Sequence, residues 1–335
     1  MHVTKSAKSF FSFLARMGIS GGLLWYIFSR IDIKSTGEIL RSADLSYIIL
    51  SAVIFVFINA IILLRWLVFI RALDLSVPVK NVVKNYFYGL FGNLFLPTAI
   101  GGDLIKIIGL CKDSSEKPKV VASVLIDRLS GFAAMVIVST VAFVFGHKII
   151  GDNTLIVPIA LMAIGISVIA AVLFNEKIYT FVCLAFSWLP RLQKALMMMH
   201  YDIALLKGAH KYQEGIKGVL LSCLSQTTFA LTFYFTSKGL HQDIPIAPFL
   251  VFVPLICVAA AFPSIGGLGF REIGATYLFA KVGMASGVAV SISLINFLFM
   301  VMVGLTGGIL YVYTLSVGRI QRYSSDAVGV GSSEA

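Results

Sequence analysis

The sequence predicts an all-α polytopic membrane protein, with about six full spans and two re-entrant broken-helix hairpins arranged as an inverted repeat. Three observations predict it. First, 58% of the 335 residues are hydrophobic and only 13% are charged, with a mean hydropathy of +0.93. A soluble domain of this size has no way to bury that much apolar surface. Second, several stretches reach the ~20 apolar residues needed to cross a hydrocarbon core about 30 Å thick. Third, two apolar stretches are interrupted in nearly the same words: FLPTAIGGDLIK (Phe95 to Lys106) and FPSIGGLGFRE (Phe262 to Glu272). The alternating ten-residue segments of a membrane β-barrel are not evident.

Full spans are predicted at 9–29, 46–71, 119–146, 154–174, 216–237 and 285–317. The first follows Lys5 and Lys8 and carries Arg16 near its start, with no convincing small-x-small cleavage site, so it reads as a retained span and not a signal peptide. The regions 85–111 and 246–281 contain the interruptions and read as re-entrant. Residues 175–215 carry Lys177, Arg191, Lys194, Lys207 and Lys211 among Phe181, Leu184, Leu189, Leu192 and Leu196, the pattern of surface-lying amphipathic helices. One transmembrane domain is thus expected over 1–323. Residues 324–335, rich in Ser, Gly and Val, are expected to be a disordered tail.

Basic residues set the orientation. With a cytoplasmic N-terminus and two re-entrant regions, the inner side holds sixteen: Lys5, Lys8, Arg71, Lys80, Lys84, Lys112, Lys117, Lys119, the six from Lys177 to Lys217, Arg319 and Arg322. The outer side holds six: Arg30, Lys34, Arg41, Lys148, Lys238 and Lys281. If the first region crossed fully, the basic 175–217 segment would face outward. Both termini are therefore expected in the cytoplasm, at the cytoplasmic membrane of a bacterium or archaeon. This topology makes 46–146 and 216–317 similar units in opposite orientation, a recurring transporter arrangement. In each, the second glycine of a pair (Gly102, Gly267) lies four residues before a cation (Lys106, Arg271).

Pro97 and Pro263 break their helices. Gly101–Gly102 and Gly266–Gly267 permit a turn and close approach of another group. Each restarted half-helix offers free N–H groups and the positive end of a dipole. With Lys106 or Arg271 nearby, and Thr98 or Ser264 as hydroxyl donors, it makes an anion site suited to phosphate. Packing kinks are the competing account of such a stretch. Asp103, Asp127 and Glu272 are acids at membrane depth, where charge is costly and marks a cavity or a partner. Asp103 reads equally as the N-cap of its half-helix and as a ligand group. Asp127 and Arg128 are adjacent, so one can pair across the bundle while the other faces a cavity. Arg65 reads both as a snorkelling residue and as a cavity residue. Asn59, Asn93 and Asn296 are further polar candidates for the cavity wall. Tyr86, Phe87, Phe91 and Phe270 frame this polar centre with aromatic rings.

Cys111, Cys183, Cys223 and Cys257 form no CxxC pair, and the five histidines do not cluster, so no metal site and no cofactor are expected. No nucleotide-binding motif is evident, so transport would follow a gradient or run downhill. The net charge of +11 belongs to loops and implies no nucleic-acid partner. The expected partner is a membrane lipid of phospholipid or polyprenyl-phosphate type, with oligomerisation open. The rival to lipid transport is a membrane-embedded transferase using a polyprenyl-phosphate or lipid donor, with Asp103 and Asp127 as base or metal ligands. A scaffold is the third alternative.

Asn93-Leu94-Phe95-Leu96-Pro97 with Gly101-Gly102-Asp103 and Lys106, the Asp127-Arg128 pair, and Pro263-Ser264-Ile265-Gly266-Gly267-Leu268-Gly269 with Glu272 carry a resemblance. Over about residues 10–320 the chain resembles the flippase-like transmembrane domain of the lysylphosphatidylglycerol synthases, the multiple peptide resistance factors. The first motif departs from the commoner family form, in which an Arg-Leu-Gly-Glu-like run follows the proline. The resemblance implies translocation of an aminoacylated lipid by the membrane part. The sequence ends at Ala335, and the aminoacylating domain of two-domain members is absent from it. No synthase activity is therefore expected.

Overall fold

Hydrocarbon offers no hydrogen-bond partner, so a chain this apolar must satisfy its backbone inside helices. The computed structural model describes residues 33–95, 101–185, 209–261 and 267–330, and all their regular structure is helical. The helices are α1 (Ile33–Arg41), α2 (Leu45–Ala72), α3 (Val79–Phe95), α4 (Gly101–Asp113), α5 (Lys117–Ile150), α6 (Ile156–Phe174), α7 (Glu176–Ala185), α8 (Ala209–Gly239), α9 (Ile246–Ala260), α10 (Phe270–Ala280) and α11 (Ser286–Val330). A short 3-10 turn, Asn153–Leu155, leads into α6.

Among the described residues, five segments are long and apolar enough to cross a membrane: Leu45–Ala72, Lys117–Ile150, Asn153–Phe174, Tyr212–Gly239 and Ser286–Thr314. They coincide with five of the six predicted spans. The predicted span at 9–29 lies outside the described residues. The backbone of α11 continues to Val330, so helix overlaps the segment from Ser324 that the sequence assigns to a disordered tail. Likewise α8 begins at Ala209, so the end of the predicted surface segment 175–215 belongs to the span helix. Within that segment α7 buries Tyr179 and leaves Phe181 and Leu184 exposed.

Local signals set the helix ends. Asp44 caps α2 by accepting from the Ser46 N–H at 2.9 Å. Gly151, with φ of 67°, ends α5 in the left-handed conformation. Each interrupted region divides into two helices packed antiparallel. On α4, Gly102 lies against α3 so closely that a Cβ there would sit 2.3 Å from the Gly89 carbonyl oxygen. A Cβ on Gly109 would sit 1.9 Å from Asn85 Oδ1. On the second hairpin, Gly267 (φ 78°) turns the chain beside Ala260 and Gly269 (φ 93°) starts α10.

Helix α2 packs along α8, α3 against α11, and α9 against α5. The α3–α11 contact is backbone-close, since a Cβ on Gly307 would sit 2.0 Å from the Phe87 carbonyl oxygen. One apolar core gathers Phe233, Phe249, Phe252 and Phe279; the other gathers Trp66, Tyr86, Val120 and Tyr179. Beyond the first core, polar contacts tie the connections together. The Asp44 N–H donates to the Gly239 carbonyl at 2.9 Å, and Lys281 bonds Asp152.

At that end, the Lys281 ammonium and then Thr154 hold the Asp152 carboxyl down at about 2, from an ordinary 3.8. Its folded pKa is depressed, so the contribution to stability is complete above about pH 4 and fades as pH falls toward 2. Asp152→Asn should therefore flatten the acid limb of thermal stability in detergent. Melting curves recorded between pH 6 and pH 2 check this: a limb as steep as wild type would contradict it.

Candidate functional site

On α5 the adjacent residues Asp127 and Arg128 lie about 100° apart around the helix axis, so they face different neighbours. Asp127 faces α2. Arg65 donates to it through Nε (2.6 Å) and Nη2 (2.9 Å), a bidentate pair with both side chains under 10% exposed. Arg65 Nη1 donates to Ser222 Oγ on α8 at 3.3 Å, and that hydroxyl lies 3.0 Å from Ser130 Oγ. Gly131 leaves room for the guanidinium, since a Cβ there would sit 3.3 Å from Nη1. Of the two readings of Arg65, snorkelling is the wrong one: its partner lies inside the bundle.

Arg128 faces α4, where its Nε donates to Asp103 Oδ2. Asp103 Oδ1 lies 3.4 Å from Lys106 Nζ, one turn on. The Lys106 ammonium sits over the rings of Trp66 (5.4 Å to the centroid) and Tyr86 (5.1 Å). Tyr86 in turn donates to Asn59 Oδ1 at 3.1 Å. Asp103 is the third residue of α4, not its N-cap, and its charge sits at the positive end of the helix dipole. Asn93 takes the capping part, because its Oδ1 accepts from the Gly102 N–H at 2.8 Å.

In the second hairpin the two charges pair with each other. Glu272, fully buried, accepts from the Gly269 N–H (2.6 Å), Arg271 Nη2 (2.5 Å) and Ser293 Oγ (2.9 Å). It thereby closes the first turn of α10 and fixes it to α11. The Arg271 guanidinium lies over Phe297, 4.8 Å from the ring centroid. Asn296 donates to Thr236 Oγ1 at 3.3 Å, and Thr236 meets Ser51 at 2.8 Å, which joins α11, α8 and α2.

The first network holds three cations (Arg65, Lys106, Arg128) and two carboxylates (Asp103, Asp127), an excess of one positive charge; Arg271 and Glu272 balance. Beside it lies a cavity of about 230 Å³ between α2, α5, α8 and α9. Its polar wall is Asn59, Arg65, Arg128, Ser225 and Gln226; Phe55, Phe132, Phe229 and Cys257 contribute apolar wall. Among the described residues, Gln226 Nε2 is a buried donor with no hydrogen-bond partner. The Arg128 side chain is 39% exposed, the most open of the network's charges.

The structure thus gathers Asn59, Arg65, Asn93, Gly101, Gly102, Asp103, Lys106, Asp127 and Arg128 around the start of α4, and Gly267, Arg271, Glu272 and Asn296 around the start of α10. Lys106 and Arg271 do not line the cavity. Thr98, Ser264 and Gly266 lie outside the described residues. Sequence reasoning missed Ser222, Ser225 and Gln226. Their signal was readable, because Ser222, Ser225, Gln226, Thr232 and Thr236 recur at helical spacing on one buried face of α8.

The Arg65–Asp127 pair yields a test. Arg65→Met leaves a buried carboxylate without its cation and should cost ~3–5 kcal/mol of stability. Arg65→Met/Asp127→Leu should recover much of that loss. Detergent melting of the two variants measures it, and a double variant as unstable as the single one would contradict the pairing.

The chain is 24% identical over 301 residues to the UPF0104 membrane protein PH1989 of Pyrococcus horikoshii, covering 82% of this chain and 87% of that protein. No solved structure matches the chain. Residues 13–308, which include both hairpins and both charge networks, match the family described as the lysylphosphatidylglycerol synthase TM region, and the chain belongs to that family.

Proposed function

We propose that the chain is a flippase-like lipid translocase, or a lipid-binding carrier, that takes a phosphate-containing headgroup. Phospholipid, aminoacylated lipid and polyprenyl phosphate share that chemistry. The observation that carries the proposal is the cavity walled by Arg65, Arg128, Asn59 and Gln226 beside a network with one excess positive charge. A buried excess cation favours an anion, and Gln226 adds a donor that an oxyanion can accept from. The family's description, a synthase of a lipid, supports a lipid as the source of that anion.

The packing supports an inverted repeat. In the units α2–α5 and α8–α11, the first helices pair with each other, and the hairpin of each unit packs on the last helix of the other (α3 on α11, α9 on α5). A two-fold relation in the membrane plane gives this exchange. On this reading the α3–α4 hairpin is re-entrant from the cytoplasmic side and the α9–α10 hairpin from the opposite side of the cytoplasmic membrane. Both termini are then cytoplasmic.

The deep carboxylates favour transport over the transferase alternative. Asp103, Asp127 and Glu272 each bond a cation, so they hold the bundle rather than stand ready as bases. The protein is then a carrier with no covalent step of its own.

Proteoliposomes with headgroup-labelled phosphatidylglycerol test this. The expected result is faster exchange of label between leaflets than in protein-free vesicles, with Arg128→Gln slowing it about tenfold, equivalent to about 1.4 kcal/mol. Equal rates for wild type, Arg128→Gln and protein-free vesicles would overturn the proposal.

A further inference from the structure

A second depression lies on three of the polar cavity's four walls. It is a groove of about 370 Å³ between α5, α8 and α9, lined by Val138, Val141, Phe145, Ala247 and Leu250, with Thr227 as a polar wall residue. On α5 the cavity wall ends at Met135 and the groove wall begins at Ile137. On α8 the cavity holds Gln226 and the groove the next residue, Thr227. On α9 Cys257 faces the cavity, and Leu250, about two turns away, faces the groove. The groove ends where Gly146 meets Ala247, a contact so close that a Cβ on Gly146 would sit 2.8 Å from the Ala247 Cβ. Val141 and Phe145 are 50% and 84% exposed on a helix long enough to span the bilayer, so the groove opens sideways to lipid.

We infer that the groove is the chain-binding half of one lipid site: a single acyl or isoprenoid chain lies along α5 and α9 while the phosphate of the same molecule meets Arg128 in the cavity. The inference rests on the lipid reading above and adds the route, lateral entry between α5 and α9. Two observations argue for one amphiphile. The polar and apolar recesses follow each other on three shared helices, and the charge excess sits at one end only. On α5 the near end of the groove, Ile137, lies about two and a half turns from Arg128, the most exposed of the deep cations. A chain in the groove replaces mobile lipid contacts by fixed ones and removes apolar surface from neighbouring tails, which is the packing gain available inside a membrane.

The test uses full-length protein in phosphatidylglycerol vesicles, with a tracer of the same lipid carrying a diazirine in its acyl chain. Irradiation should place adducts within 137–146 and 246–250 of wild type. Val141→Trp should cut adduct yield and leaflet exchange about fivefold or more. Val144→Trp, a control on the lipid-facing surface outside the groove, should leave both near wild type. Arg128→Gln should also lower the groove adducts if one molecule fills both halves. Adducts spread evenly over exposed α6 residues such as Leu161 and Ile164, or undiminished in Val141→Trp, would overturn the groove. Undiminished groove adducts in Arg128→Gln would overturn the single-molecule arrangement. Failure of the lipid reading is distinct: wild type then exchanges no lipid above protein-free vesicles, while the adduct positions still decide the groove.

Discussion

The Asp127 carboxylate lies 4% exposed in a helix bundle whose surroundings are hydrocarbon. An ionised group in such a place needs both a counter-charge and donors for its oxygens. Arg65 supplies both in one planar contact, and its third nitrogen reaches Ser222. Three long helices, α2, α5 and α8, are thereby fixed at one level. The step of one residue from Asp127 to Arg128 then decides the rest. It aims a second guanidinium away from α2 and toward α4, where Asp103 takes it. Asp103 in turn holds Lys106 near Trp66 and Tyr86, which brings α3 into the same layer. The cavity is the space left between these tethers and α9.

In both hairpins a glycine packs closely on the first helix, Gly102 on Gly89 and Gly267 on Ala260, but the work is divided differently. In the first, the acid and the base are three residues apart on α4, so both reach outward to other helices: Asp103 to α5 and Lys106 to the rings of α2 and α3. In the second, Arg271 and Glu272 are neighbours and close on each other, with Ser293 between them. That local closure makes the second hairpin electrically neutral and caps α10, while the first stays coupled to the cavity wall. Similar sequences thus produce one hairpin that carries charge to the site and one that supplies wall.

Span positions were legible because an apolar run of span length has few other solutions, and the breaks were legible because Pro97 with Gly101–Gly102 opposes a continuous helix. The lower end of α8 was not. His210, Lys211, Glu214 and Lys217 resemble a loop by composition, yet a helix can carry charges beyond its apolar stretch. For the site, the residue types were legible and the partners were not. Arg65 and Asp127 are 62 residues apart and Arg128 and Asp103 are 25 apart, and no local pattern encodes which cation meets which acid. The matched offset of Lys106 and Arg271 from their glycines pointed to a shared cation site. In the structure Arg128 and Arg65 line the cavity, while the two matched cations are turned toward their own hairpins' acids and neighbouring rings.

An odd cation within a membrane bundle is a standing cost, of order 2.5–3.5 kcal/mol for a charge at span centre. The first network could reach neutrality by exchanging any one of its three cations for a neutral residue. Arg65 is committed to Asp127, and Lys106 leans on Asp103 and two aromatic faces, so the excess is felt where Arg128 borders open space. An anion entering there removes the imbalance and gains a donor from Gln226, and neutralisation strengthens each remaining contact in a low dielectric. On the proposed reading, the imbalance that destabilises the bundle is the source of affinity for a phosphate, and the apolar groove continuing on α5, α8 and α9 would favour a phosphate attached to a hydrocarbon chain.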